Sequence, residues 1–117
     1  MGLKGYHYPT KDELSYTTTE QNTGLTWIDG SEIYKKTVYV DSLPNNGVTR
    51  PNHNISSIGM VVRISGIMVN ATGDQFWHIP YQLIDIVEVN TTTVTIQSKF
   101  DARTYKAYVT IYYTKGA

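Results

Sequence analysis

A period of two runs through this chain. From Tyr105 to Thr114, Ala107, Val109, Ile111 and Tyr113 take alternate positions, with Tyr108, Thr110 and Tyr112 between them. Successive side chains on a strand point to opposite faces, so such a run makes a sheet with one apolar face and one Tyr/Thr face. A helix would scatter the same residues around its circumference. The alternation recurs in Lys35–Val40, Gln75–Tyr81, Ile84–Val89 and Thr93–Lys99, and the β-branched run Met60–Val69 is the most apolar of all. No segment sustains a helical period, although Ile79–Ile86 has room for one helical turn. Roughly seven or eight short strands with turn signals every eight to twelve residues predict an all-β, antiparallel β-sandwich.

Turn chemistry divides these runs. Asp29-Gly30 lies between Leu25-Thr26-Trp27-Ile28 and Ser31-Glu32-Ile33-Tyr34. Asp-Gly is a strong signal for a two-residue type I′ hairpin. That closure pairs Ile28 with Ser31 and Trp27 with Glu32, and Trp27 then anchors the turn to the sheet. Ser42 to Gly47 contains Pro44, Asn45, Asn46 and Gly47 and reads as a break, followed by irregular chain over 48–59. Within Met60–Val69 the alternation places Val62 and Ile64 on one face and Val61, Ile67 and Val69 on the other, with Gly66 marking a bulge or bend. Residues 1–24 are polar, and Tyr6, Tyr8 and Leu14 are their sizeable apolar side chains before Tyr16. They read either as a poorly ordered tail or as an N-terminal arm whose Tyr6, Tyr8 and Leu14 dock on another subunit, leaving 25–117 as the β-sandwich domain.

Charge and composition narrow the function classes. Ten basic and ten acidic side chains give a formal net charge of zero, and Lys35-Lys36 is the longest basic run. A nucleic-acid footprint needs clustered Lys and Arg, so no nucleic-acid partner is expected. Neutrality also removes one barrier to self-association. There is no cysteine, which leaves out disulfides and thiolate chemistry. The first fifteen residues have no apolar stretch of the signal-peptide kind, and no segment has the apolar length of a membrane span. Ten tyrosines against two phenylalanines favour half-wet surfaces that meet partners.

Candidate chemistry is sparse. His7, His53 and His78 stand apart, without metal-ligand spacing, and no metal or cofactor is expected. Asp29, Asp41, Asp74, Asp85 and Asp101 sit mostly at turns rather than in a calcium loop. His53 lies near Ser56 and Ser57, but a triad needs a third, orienting group. His53 reads instead as a loop histidine bonded to backbone, and His78 as a residue on a partly exposed strand. Asp12, Glu13 and Glu20 lie in the arm, a poor place for preorganised acids. No catalytic residue is assigned, and the chain is expected not to be an enzyme. Asn54-Ile-Ser, Asn70-Ala-Thr and Asn90-Thr-Thr fit the glycosylation triplet, as chance allows in an Asn- and Thr-rich chain. Phe76, Trp77 and Tyr81 form the aromatic cluster that is the candidate binding platform, for a sugar face or a protein, with core and edge packing as the competing explanation.

Several segments share an order with a known kind of module: Thr19-Glu-Gln-Asn-Thr-Gly24, Thr26-Trp-Ile-Asp-Gly30 with Ile33-Tyr-Lys-Lys-Thr-Val38, Leu43-Pro-Asn-Asn46, His53-Asn-Ile-Ser-Ser-Ile58 and Ala107-Tyr-Val-Thr-Ile-Tyr-Tyr-Thr-Lys115. Over residues 19–115 the chain resembles a small β-sandwich module of bacteriophage virion appendages, found near the end of tail-fibre, baseplate or head-fibre chains. The resemblance implies a non-enzymatic virion protein, acting by assembly with other virion proteins. It also implies a homo-oligomer, with trimers common among such appendages, and attachment to a host-surface glycan as an added role. In many relatives of that kind the module is a terminal part of a longer chain, whereas here it fills nearly the whole sequence. That leaves its place on the particle, head or tail, open. The alternative function is a carbohydrate-binding module.

Overall fold

The computed structural model describes residues 19–116, which form eight strands and no helix. They are β1 (Gln21–Thr26), β2 (Glu32–Val40), β3 (Asn45–Thr49), β4 (Ile58–Val69), β5 (Phe76–Ile79), β6 (Ile84–Val89), β7 (Val94–Asp101) and β8 (Lys106–Lys115). A five-stranded sheet has the order β1-β2-β8-β4-β5, and a three-stranded sheet the order β3-β7-β6. All pairings are antiparallel. The two sheets pack face to face as a β-sandwich, as the alternation predicts. The arm residues Tyr6, Tyr8 and Leu14 lie outside the described residues. Residues 21–24, assigned to the arm from sequence, belong to β1.

The core follows the alternation. Ala107, Val109, Ile111 and Tyr113 of β8 are fully buried, opposite Val40, Val38, Lys36 and Tyr34 of β2. Met68 of β4 and Ile79 of β5 extend this layer. Ile84, Val94 and Ile96 face it from the smaller sheet, with Leu43 and Ile55 closing from the connections. Burying an aliphatic side chain of this size contributes about 1.5–3 kcal/mol. The core therefore spans both sheets, with β8 at the centre of the larger one.

Four details differ from the sequence reading, each for a local reason. The hairpin at Asp29-Gly30 has a three-residue loop. Trp27 N–H donates to the Ser31 carbonyl at 2.8 Å and Gly30 N–H donates to the Trp27 carbonyl at 2.9 Å. Among Ile28, Asp29 and Gly30 only Gly30 has positive φ, +88°, so this is a turn followed by a glycine bulge, not type I′. The Asp29 carboxylate accepts from Ser31 N–H at 2.9 Å and so favours the longer loop. Trp27 thus pairs with Ser31, Thr26 takes Glu32, and Trp27 is only half-buried.

The second difference is β3, which forms in the stretch read as a break. Asn45, Asn46 and Gly47 have poor strand propensity, yet β7 pairs with them at Asn45↔Asp101 and Gly47↔Ser98, with a shift between the two. Asn46, at φ 45°, accommodates that shift. Third, Gly66 is not a bulge: its ladder with β8 is regular on both sides. A Cβ there would lie 2.8 Å from Ile86 Cδ1 and 3.1 Å from Ile79 Cβ, so glycine makes room for the opposite sheet. The irregularity falls between Val61 and Arg63, which turns Val61 and Ile64 onto the same side, opposite Tyr113 and Ile111. Fourth, Ile79–Ile86 holds no helical turn. Tyr81 and Ile84 exchange N–H···O bonds of 3.0 and 2.9 Å around Gln82-Leu83, with Gln82 at φ 47°.

Candidate functional site

Side-chain parity on β5 separates the three aromatic residues proposed as one platform. Phe76 and His78 point to the outer face of the large sheet, opposite Val69 and Ile67. Trp77 and Ile79 point inward, opposite Met68 and Gly66. Trp77 packs on the core and meets Tyr105 edge-on at 5.8 Å and Tyr81 at 5.9 Å. Tyr105 in turn meets Phe100 at 6.1 Å. The inward cluster is therefore Trp77, Tyr81, Tyr105 and Phe100, whereas Phe76 stands alone on the other face, 65 % exposed. A single platform of Phe76, Trp77 and Tyr81 does not form, because Phe76 and Trp77 are successive residues of a regular ladder and face opposite ways.

The outer face of the large sheet carries a different set of rings. Tyr39 of β2 and Tyr108 of β8 are direct partners, with centroids 5.1 Å apart. The same row continues through Ile67 to His78. One row on, Thr37 and Thr110 are buried and share a 2.9 Å hydroxyl bond. Next, Tyr112 lies opposite Arg63, whose guanidinium carbon sits 5.3 Å from the ring centroid. The Tyr/Thr face of β8 is legible in the sequence, but the residues that register brings beside it are not. The alternation within each strand was the available signal.

Two further exposed aliphatic side chains stand elsewhere. Leu25 and Ile28, 63 % and 91 % exposed, sit on the β1–β2 hairpin. In the Tyr34↔Tyr113 register, β8 stops at Lys115, level with Glu32, so the loop carrying Ile28 projects beyond the sheet. Met60, 51 % exposed, lies at the same end, opposite Thr114. Here Glu20 accepts from the Tyr113 hydroxyl and pairs with Lys115 Nζ at 2.6 Å. Lys115 Nζ also lies 4.5 Å from the Tyr34 ring centroid. Desolvation opposes ionisation of Glu20, but the hydrogen bonds from Lys115 and Tyr113 outweigh it and hold the carboxyl below its ordinary range. Burial, then the Glu20 hydrogen bond, raises Tyr113.

His53 is built into the scaffold. His53 is 1 % exposed; Nδ1 accepts Ile55 N–H at 3.1 Å and Nε2 lies 2.8 Å from the Asn90 carbonyl. The first contact makes Nδ1 the acceptor, so Nε2 carries the hydrogen. The ring thereby ties the β3–β4 connection to the β6–β7 turn, matching its reading as a backbone-bonded histidine. Asn70 and Asn90, from the glycosylation triplets, cap their own turns: Asn70 Oδ1 accepts from Asp74 and Gln75, and Asn90 Oδ1 from Thr92 and Thr93. Hydrogen bonds from Arg103 lower the Asp101 carboxyl to about 2. Among the described residues no group of three His, Asp or Glu is arranged to hold a metal. No family model matches the chain, and neither a curated protein nor a solved structure is significantly similar to it.

Proposed function

We propose that this chain is a non-enzymatic structural subunit of a bacteriophage virion appendage, acting by protein–protein assembly and contributing to host attachment. One observation carries the assembly part: Ile28 and Leu25 stand 91 % and 63 % exposed on a hairpin that projects past the sheet. Isolated apolar residues on a surface are ordinary, but an aliphatic tip on a braced hairpin is shaped to enter a neighbour's groove. Glu20, Tyr113, Lys115 and Tyr34 brace its base. The assignment to a virion rests on the ordered resemblance over residues 19–115. Self-association of this chain into a homo-oligomer is the simplest form of the assembly.

Size-exclusion chromatography with light scattering tests the assembly. The wild-type chain is expected to exceed monomer mass with rising concentration, and Leu25→Asp/Ile28→Asp to stay monomeric with an unchanged circular dichroism spectrum. A wild type that remains monomeric throughout, alone and with the other virion proteins, overturns the assembly reading. Mass spectrometry of purified particles tests the location, which fails if the chain is present in the infected lysate but absent from the particles. The alternative of a sugar platform on Phe76, Trp77 and Tyr81 loses its geometric basis, since Trp77 faces the core.

A further inference from the structure

We propose that the outer face beside the end of β5 holds a binding site for a carboxylated sugar, with Arg63 as the carboxylate's partner. β5 pairs with β4 only from Val69↔Phe76 to Gly66↔Ile79, and Pro80 follows. Among the described residues, no strand flanks β4 on that side before Gly66. A depression of about 390 Å³ opens there, and Arg63, Ser65, Ile67, His78 and Tyr112 are among its walls. Arg63, Ser65 and Ile67 are alternate residues of β4 and share one face. Register adds Tyr112 opposite Arg63 and His78 opposite Ile67.

Charge complementarity selects the ligand. The Arg63 guanidinium lies over the Tyr112 ring, which steadies the planar cation while leaving N–H groups at its edge. The ion pairs among the described residues are Arg103–Asp101 and Lys115–Glu20, and neither occupies Arg63. A guanidinium edge matches the two oxygens of a carboxylate. The hydroxyl of Ser65 and the imidazole of His78 supply hydrogen-bond partners farther along, and Ile67 supplies an apolar contact for a sugar's C–H face. Arg63 to Ile67 spans four residue steps, about 13 Å at strand spacing, enough for an acidic sugar and one neighbouring unit. Backbone groups on the unflanked β4 edge add donors and acceptors that suit hydroxyls. A simple inorganic anion would use Arg63 and leave the rest idle. This site is separate from the hairpin and does not depend on the assembly reading.

The test is a ¹⁵N NMR titration of the full chain with methyl glucuronide, with methyl glucoside and inorganic phosphate as comparators. The glucuronide is expected to shift Arg63 Nε, Ser65, Ile67 and His78 saturably, with the glucoside on the order of tenfold weaker. Arg63→Gln should weaken glucuronide binding by about tenfold or more with the remaining spectrum unchanged. Arg63→Lys, which keeps the charge without the planar fork, should also weaken it. Equal affinity for the glucoside overturns the proposal. So does a response to phosphate equal to the glucuronide's and confined to Arg63, or an absence of saturable shifts up to about 50 mM glucuronide. Each of these leaves the chromatographic test of assembly untouched.

Discussion

His53 shows how one side chain can hold two connections. Its ring accepts a backbone N–H from Ile55 and donates to the Asn90 carbonyl, while the backbone N–H of His53 donates to the Thr92 carbonyl at 3.1 Å. Removing the ring leaves two backbone groups without partners and opens a cavity beside Ile55. His53→Ala is therefore expected to cost about 2–4 kcal/mol in chemical denaturation. It should also speed hydrogen exchange at Ile55 before the rest of the molecule opens. Uniform exchange across the chain would mean that His53 acts on global stability alone. His53 could be read from sequence as a loop histidine bonded to backbone, but not its partners. Ile55 is two residues away, whereas Asn90 is brought near by the pairing of residues 51–53 with the start of β7, where Asn52 bridges Thr93 and Val94 N–H donates to the Pro51 carbonyl.

Between Trp27 and Ser31 the loop length sets the register of the β1–β2 hairpin. The three-residue loop ends on Gly30 at φ +88°, where a Cβ would meet no neighbour within 4 Å. The cost of a side chain there is thus conformational rather than steric. Gly30→Ala is expected to destabilise by about 1 kcal/mol, read as a lower midpoint in denaturant. If the loop were instead a two-residue type I′ turn, Asp29 would also need positive φ and Asp29→Gly would stabilise; with the observed turn it should not. Asp-Gly announced the turn in the sequence. Loop length was not legible there, because the Asp29 bond to Ser31 N–H and the glycine bulge compete with the shorter closure. β3 shows the same limit from the other side: a partner strand overrides the poor propensity of Asn45, Asn46 and Gly47.

The two ends of the described chain meet at Glu20 and Lys115, beside β1 and at the end of β8 in the five-stranded sheet. Among the described residues every carboxyl with a resolved shift moves the same way: Glu20, Asp29, Asp74 and Asp101 all lie below their ordinary values. The unfolded chain therefore binds more protons than the folded one across that interval, and stability falls with acidity. For Glu20 the contribution is full above its ordinary 4.5 and is lost as pH falls through the lowered value. Asp101 extends the same loss to about 2. Glu20→Gln is expected to lower stability at pH 7 and to flatten the acid side of the stability-against-pH curve. A variant with an unchanged slope between pH 5 and pH 2 would show that Glu20 contributes no linked proton. The Asp and Arg at the β7–β8 turn are exposed, so their pair is expected to matter less and to fade with added salt.

The sequence by itself determined the sheet class and most of the core. A strand's faces alternate by covalent geometry, so Val38, Val40, Val94, Ile96, Val109 and Ile111 carry their burial in their spacing. It also marked the places where the chain turns, because Gly, Pro, Asn and Asp have distinct backbone options. Tertiary structure alone decided which strands became neighbours, and so which side chains share a surface. Phe76 and Trp77 are adjacent in the chain and part company across β5. Arg63 and Tyr112, forty-nine positions apart by their numbers, come together because β4 and β8 pair in one register. Pairing between distant strands is fixed by the joint burial of both sheets, a quantity no single segment contains.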